Sequence, residues 1–213
     1  MNPEAVFVFD LGKVLLDFDY GKAARRLAAR CDLGPDAIRQ VLDQSRLLWR
    51  YETGAMTTTQ FFEEVKNASG LRGELAEFRG DFAAIFEPID AMIELHAELR
   101  RAGFPTYIFS NTNEMAITHI REEYPFFRSF SDYILSYEHG AMKPDPALYQ
   151  VVEDRVGKRG AAIVYLDDRP ENIAAGAARG WTAILHTEPA ETRTALRAIG
   201  AVGAAPSAAL RLK

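Results

Sequence analysis

Four apolar runs without polar alternation punctuate the chain: Ala5-Val6-Phe7-Val8-Phe9, Pro105-Thr106-Tyr107-Ile108-Phe109, Ala161-Ala162-Ile163-Val164-Tyr165-Leu166 and Trp181-Thr182-Ala183-Ile184-Leu185. Strand side chains alternate between two faces, so a continuous apolar run predicts a strand covered on both. A shorter run, Asp132-Tyr133-Ile134-Leu135-Ser136, lies between the second and third.

Helical spacing fills the gaps between these runs. Ile89 to Ala102 carries Met92, Leu95 and Leu99 on one face and stops at Gly103, a C-terminal signal. Pro146 to Val156 and Glu171 to Arg179 behave alike, the latter stopping at Gly180. Strand–helix–strand alternation predicts an α/β fold, a Rossmann-like parallel sheet with right-handed crossovers and helices on both faces. Between Phe18 and Phe86 the pattern changes to helix-like stretches over 21–30, 36–50, 58–67 and 74–85, with no convincing strand. The expectation is an all-helical domain over 18–86, inserted after the first strand of a core formed by 1–17 and 87–213. The tail from Ala201 to Lys213 is loosely specified and expected to fray.

Composition narrows the function more than the fold. At 213 residues, 48% hydrophobic and 26% charged, the chain reads as an ordinary globular enzyme. Its net charge of -5 is spread over interspersed acids and bases, which excludes the basic face of a nucleic-acid binder and a polybasic membrane anchor. No apolar run approaches a membrane span, and Glu4 and Asp10 around the first run argue against a secretory signal. A single cysteine, Cys31, cannot form an intramolecular disulfide and fits a reducing compartment, so the expected location is cytoplasmic. A monomer or a homodimer is expected. His96, His119, His139 and His186 show no metal-ligand spacing and are assigned to surface or core.

Ligands of an open parallel sheet bind beyond the carboxyl ends of its strands. The polar residues that follow the runs should therefore converge. Asp10-Leu11-Gly12-Lys13 follows the first, Ser110-Asn111-Thr112-Asn113 the second, and Asp167-Asp168-Arg169 the one ending at Leu166. Met142-Lys143-Pro144-Asp145 opens the helix ahead of that last strand. Together they bring three carboxylates, a lysine, a hydroxyl and backbone amides to one edge. Acids so close repel one another unless a cation joins them. An oxygen-only donor set suits Mg²⁺, which shares its ligands with phosphate. A carboxylate can serve as nucleophile, and Lys143, Ser110 and nearby N–H groups supply donors for a phosphoryl group in transfer.

These segments resemble the four motifs of the haloacid-dehalogenase-like hydrolases over nearly the whole chain, and the helical insertion resembles the cap of subfamily I. Phe9-Asp10-Leu11-Gly12-Lys13-Val14, Ser110-Asn111-Thr112-Asn113, Glu123-Tyr124-Pro125, Met142-Lys143-Pro144, Leu166-Asp167-Asp168 and Asn172-Ile173 are similar to the α-D-glucose-1-phosphate phosphatase branch. So are Glu52-Thr53-Gly54 and Phe61 in the cap. The resemblance implies a Mg²⁺-dependent phosphoric monoester hydrolase acting on a small phosphorylated metabolite, a sugar phosphate such as glucose 1-phosphate. It makes Asp10 the nucleophile that forms an aspartyl-phosphate. Ser110, with the backbone amide of Asn111, binds the phosphoryl group, and Lys143 balances charge between it and Asp10. Mg²⁺ is held by Asp10, the carbonyl of Gly12 and Asp168. Asp167 acts behind them, through a water or by orienting Lys143.

One departure stands out. Most phosphatases of this superfamily carry a second aspartate two residues after the nucleophile as general acid and base, and here that residue is Gly12. General acid–base catalysis contributes roughly 10²–10⁴ in rate. A sugar 1-phosphate, whose leaving group is a hemiacetal oxyanion, tolerates the loss best. Lys13, Asp17 or a cap residue are the substitutes to consider, and Asp17 and Asp19 are assigned instead to the entrance of the helical insertion. Within the cap, Trp49 and Tyr51 are assigned to its core. Trp181 is assigned to packing, and Arg169 to a solvated loop. Two alternatives remain. One is a 2-haloacid dehalogenase, which needs no metal and no acid. The other is a non-catalytic binding protein on a retained hydrolase scaffold.

Overall fold

In the computed structural model of the chain, residues 4–43 and 46–203 are described. The chain opens with β1 (Val6–Phe9) and β2 (Leu16–Phe18). Five helices follow: α1 (Tyr20–Ala28), α2 (Pro35–Asp43), α3 (Arg46–Glu52), α4 (Thr58–Ser69) and α5 (Leu75–Ala83). Next come β3 (Phe86–Pro88), α6 (Asp90–Arg101), β4 (Thr106–Ser110), α7 (Glu114–Glu123) and β5 (Asp132–Leu135). The chain then runs through α8 (Pro146–Val156), β6 (Ile163–Asp167), α9 (Pro170–Ala178), β7 (Thr182–Leu185) and α10 (Pro189–Ala198).

All four residues of β1 are buried, and their side chains part by the two-residue period of a strand. Phe7 and Phe9 pack with Met92, Leu95 and Leu99 of α6 and Ile117 and Ile120 of α7. Val6 and Val8 pack on the opposite face with Leu148, Tyr149 and Val152 of α8. Both faces are covered, so the run has no polar position. The strand order is β5-β4-β1-β6-β7, and every pairing in this sheet is parallel. Phe9 lies in register with Ile108 of β4 and Leu166 of β6. The residues just beyond them, Asp10, Ser110 and Asp167, therefore leave the sheet side by side.

β2 and β3 form a separate antiparallel ribbon, with Asp17 opposite Glu87, where the chain leaves and rejoins the sheet domain. At three residues a strand they are too short to register as apolar runs. The helices between them bury their own cluster, with Leu27, Phe61 and Phe78 fully inside and Met115 of α7 reaching in from the sheet domain. Asp19 caps α1 by accepting from the Gly21 N–H at 2.7 Å, in line with its assignment to the entrance of the insertion. The helix expected over 36–50 is described as two, α2 and α3, on either side of residues 44 and 45, which lie outside the described residues. Most of the tail expected to fray, residues 204–213, also lies outside them. Trp181 packs between Tyr149 and Tyr165 and donates to Glu153 at 3.1 Å, as assigned. No helix among the described residues is long and apolar enough to cross a membrane.

Candidate active site

Lys143 organises the end of the sheet. Its Nζ donates to the Phe109 carbonyl at 2.9 Å and to Asp167 Oδ2 at 2.6 Å, and lies 3.0 Å from Asp10 Oδ1. Those three partners use its three N–H donors. The loop carrying Lys143 is clamped by Asn111, whose amide donates to the Lys143 carbonyl at 3.0 Å and accepts from the Lys143 N–H at 2.7 Å. Asn111, whose backbone amide is expected to bind the phosphoryl group, has its side chain committed to holding Lys143, because one amide can close both backbone bonds only in that pose. Asp10 accepts from the Leu11 N–H at 2.6 Å, which fixes its carboxylate at the strand end.

The two adjacent aspartates differ. Asp167 is fully buried, and both its oxygens are engaged. Oδ1 accepts from the Arg169 N–H at 2.9 Å and Asn172 at 3.0 Å, while Oδ2 accepts from Lys143 and the Tyr165 hydroxyl. Asp168 is only half-buried and faces the cleft. Asp10, Asp167 and Asp168 each bring a carboxylate oxygen into a group lying within 4.8 Å of one another.

The electrostatics follow from burial. Burial pushes the Asp10 carboxyl up to about 7, Lys143 pulling against it and the Asp167 charge adding to it. Asp168 is also raised, by burial first and by Asp167 second. Burial works against the Asp167 carboxylate too, but the Lys143 charge and its hydrogen bonds hold it below the usual carboxylate range. Burial likewise disfavours the Lys143 cation, yet Asp10 and Asp167 outweigh it and leave the ammonium favoured. One cation faces three acids here. The strain appears on Asp10 and Asp168, the two with oxygens to spare, and a divalent cation between them would relieve it. The donors are all hard oxygens, with no thiolate or imidazole among them, so the residues fit Mg²⁺.

A cleft of about 470 Å³ opens over this cluster. Asp10, Ser110, Lys143 and Asp168 line its floor, and Phe18, Tyr20, Leu48 and Glu52 from the cap side line its wall with Phe86 and Ile120. Gly12 belongs to the lining, and a Cβ there would stand 2.7 Å from Cε1 of Phe18. Lys13, also in the lining, ion-pairs with Asp17 and donates to the Phe18 carbonyl at 2.8 Å. Arg169 lines the cleft and pairs with Glu171 at 2.5 Å.

Two cap assignments come out differently. Tyr51 is buried, stacked on Phe61 at 4.6 Å, with its hydroxyl bonded to Thr58 and accepting from the Met115 N–H. Trp49, assigned to the same core, is 51% exposed, because the register that turns Leu48 and Tyr51 inward turns residue 49 out. Glu52, one turn after Leu48, reaches the cleft. Burial pushes its carboxyl up to about 7, against hydrogen bonds from Asn113 and Tyr20 that favour the carboxylate. Among the four histidines, His96 and His186 are core groups bonded to Thr106 and Thr192, and none lines the cleft. Tyr165 carries little sequence signal, while Asn172 and Asn113 stand in segments that carry the family resemblance without revealing what they support. Only Asn113, placed before a helical pattern, could have been read as an N-cap.

A family model described as "haloacid dehalogenase-like hydrolase" matches residues 5–180. The chain is 25% identical to a sesquiterpene phosphatase of Aspergillus oryzae, over 89% of this chain and 93% of that protein. It is 23% identical to a D-ribitol-5-phosphate phosphatase of Bacteroides thetaiotaomicron, over 90% and 96% of the respective chains. In structure it is similar to a HAD family enzyme from B. thetaiotaomicron in complex with magnesium and inorganic phosphate, with a TM-score of 0.75, 19% identity, and 86% and 94% of the chains covered. An L-2-haloacid dehalogenase from Xanthobacter autotrophicus with chloropropionic acid covalently bound superposes less closely, with a TM-score of 0.61 at 19% identity and 93% and 84% coverage.

Proposed function

The chain belongs to the haloacid dehalogenase-like hydrolases, and from that premise we propose that it is a Mg²⁺-dependent phosphatase of a small phosphomonoester, working through an aspartyl-phosphate. The observation that carries the reading is Asp10 at the end of the central strand, beside Ser110, Lys143 and Asp168 on the floor of one cleft. Both curated relatives described above are phosphatases by name. We assign the chain to subfamily I and its glucose-1-phosphate branch, with residues 18–86 as a cap on a core of 1–17 and 87–213.

In this reading an oxygen of Asp10 attacks phosphorus while Lys143 offsets charge on Asp10 and the transferring group. Ser110 and the backbone amide of Asn111 receive phosphoryl oxygens, and Asn111 keeps Lys143 in place through its backbone. Asp10, the Gly12 carbonyl and Asp168 would hold Mg²⁺, with Asp167 orienting Lys143. When bound, Mg²⁺ supplies charge neutralisation for the phosphate and the acids around it. A floor on which Asp10 and Asp168 both have raised carboxyls beside a single buried lysine favours a metal-dependent phosphatase over a metal-free dehalogenase.

A sugar phosphate such as glucose 1-phosphate remains our first substrate class, since Glu52, Asn113 and Tyr20 offer hydroxyl partners at the wall. A phosphate of a largely apolar alcohol is a second reading, favoured by Phe18, Leu48, Phe86 and Ile120 on the same wall. Phosphate release from a panel of both classes, with Mg²⁺ and with chelator, tests the function. Turnover that needs Mg²⁺ and is lost in Asp10→Asn is expected. Turnover indifferent to chelator, or surviving Asp10→Asn, overturns it.

A further inference from the structure

Among the described residues, the floor of the cleft carries no carboxyl group beyond Asp10 and Asp168 that could protonate a leaving oxygen. The usual position is Gly12, and the room its side chain would need is filled by the ring of Phe18, 2.7 Å from a Cβ built there. Lys13 is paired with Asp17 and Phe18. Among the described residues, the carboxyl groups lining the cleft are Asp10, Asp168 and Glu52. Asp10 and Asp168 are committed to the phosphoryl group and the metal. Glu52 is left.

Several contacts fix Glu52 in the cleft lining and tie it to the loop that carries Ser110. Its backbone carbonyl accepts from Ser136 Oγ at 2.6 Å, and the same Oγ accepts from the Thr112 N–H at 2.9 Å. Its carboxylate is bonded by the side chains of Tyr20 and Asn113. Asn113 caps α7, its Oδ1 accepting from the Ala116 N–H at 3.0 Å, so the amide NH₂ is the end free to meet Glu52. The cap thus sends one carboxyl into the cleft, anchored to the sheet domain through both backbone and side chain.

We propose that Glu52 is the proton-transferring group of this site, a role that rests on the phosphatase reading above. As Asp10 attacks phosphorus and the ester P–O bond breaks, protonated Glu52 gives its proton to the departing oxygen, leaving a free alcohol and a Glu52 carboxylate. Water then attacks the aspartyl-phosphate, Glu52 takes the water's proton, and the P–O bond to Asp10 breaks, returning Asp10 and releasing phosphate. The burial that raises its carboxyl to about 7 keeps both forms present near neutral pH, as a group working in both directions requires. The position of the acid thus moves from the strand loop to the cap.

The test uses the full-length protein with 4-nitrophenyl, phenyl and benzyl phosphate, whose leaving groups need protonation to increasing degrees. In Glu52→Gln, kcat/KM for benzyl phosphate is expected to fall by about 10²–10⁴ and that for 4-nitrophenyl phosphate far less, with phenyl phosphate between them. An equal loss on all three esters, or no loss on any, overturns the assignment. Wild-type protein that releases phosphate from none of them, nor from sugar phosphates, fails the phosphatase reading itself and Glu52 with it. A wild-type pH profile needs no variant: the ratio of benzyl to 4-nitrophenyl kcat/KM should fall as pH rises through about 7. The side chains that meet the Glu52 carboxyl are Tyr20 of α1 and Asn113 at the start of α7. Lys13, Lys143, Arg169, Asp10 and Asp168 of the cleft act on both esters alike, and Arg50 of α3 is paired with Glu64. A pH-independent ratio overturns the proposal.

Discussion

Gly12 and Phe18 share one space: a Cβ on the glycine would lie 2.7 Å from Cε1 of the ring. The ring belongs to β2 and packs edge-on against Tyr20 at 5.7 Å, so a side chain at residue 12 requires the ring to give up that contact or shift. The missing aspartate is therefore not a simple vacancy that mutation could fill.

Gly12→Asp is expected to destabilise the protein by about 1–3 kcal/mol, the usual cost of overpacking, without raising turnover. Adding Phe18→Ala should recover part of that loss relative to Phe18→Ala alone. Urea denaturation of the four proteins measures the coupling, and a Gly12→Asp protein of wild-type stability and higher kcat would refute this account.

Lys143 and Asp167 are both buried and hydrogen-bonded at 2.6 Å. Removing one partner strands the other's charge, so Lys143→Met should cost about 3–5 kcal/mol. Asp167→Asn added to it should cost much less than the two single losses together. Additive losses in the denaturation cycle would show that the pair is not coupled.

Mg²⁺ should raise the melting temperature of the wild type, by mass action worth about 2.7 kcal/mol at a hundredfold excess over Kd. Asp168→Asn should abolish most of that shift. Asp167→Asn should weaken Mg²⁺ affinity about 10–100-fold through the loosened support of its neighbours. Equal Mg²⁺ responses in wild type and Asp168→Asn would remove Asp168 from the ligand set.

His96 stacks on Phe130 with centroids 3.9 Å apart and bonds Thr106 at 3.0 Å. Burial first, and Arg100 second, lower its pKa from 6.5 to about 4. Between those values the unfolded chain binds the proton and the folded chain does not, so the His96 contribution to stability rises with pH across the window and is lost as pH falls through it, opposite in sign to the contributions of Asp10 and Glu52, whose folded carboxyls are raised. His186, lowered by burial, acts in the same direction as His96. His96→Phe should make the slope of stability against pH less positive than in the wild type between pH 6.5 and about 4, measured by denaturation of both proteins at fixed ionic strength. An unchanged slope would place the pH dependence elsewhere.

Much of this protein was legible along the chain because its signals are local. Val6 to Phe9 is apolar at every position since both sheet faces are covered, and parallel strands expose their ends at one edge. Asp10, Ser110, Asp167 and Asp168 could thus be brought together from their positions after strands alone. What stayed hidden depends on contacts between distant segments. Asn111 is held by the backbone of Lys143, 32 residues later, and no spacing rule tells an amide that binds substrate from one that clamps a loop. Trp49 and Glu52 took their places from the rotation of a single helix against its neighbours: three residues of register sent the aromatic to solvent and the carboxyl to the cleft. The ring of Phe18 over Gly12 arose from the β2–β3 ribbon, whose strands are too short to mark themselves. Apolar periodicity determined the layers, because burial of strand and helix faces is written in the sequence residue by residue. Only the tertiary structure decided how the cap wall meets the floor, because side-chain partners far apart in sequence are chosen by packing.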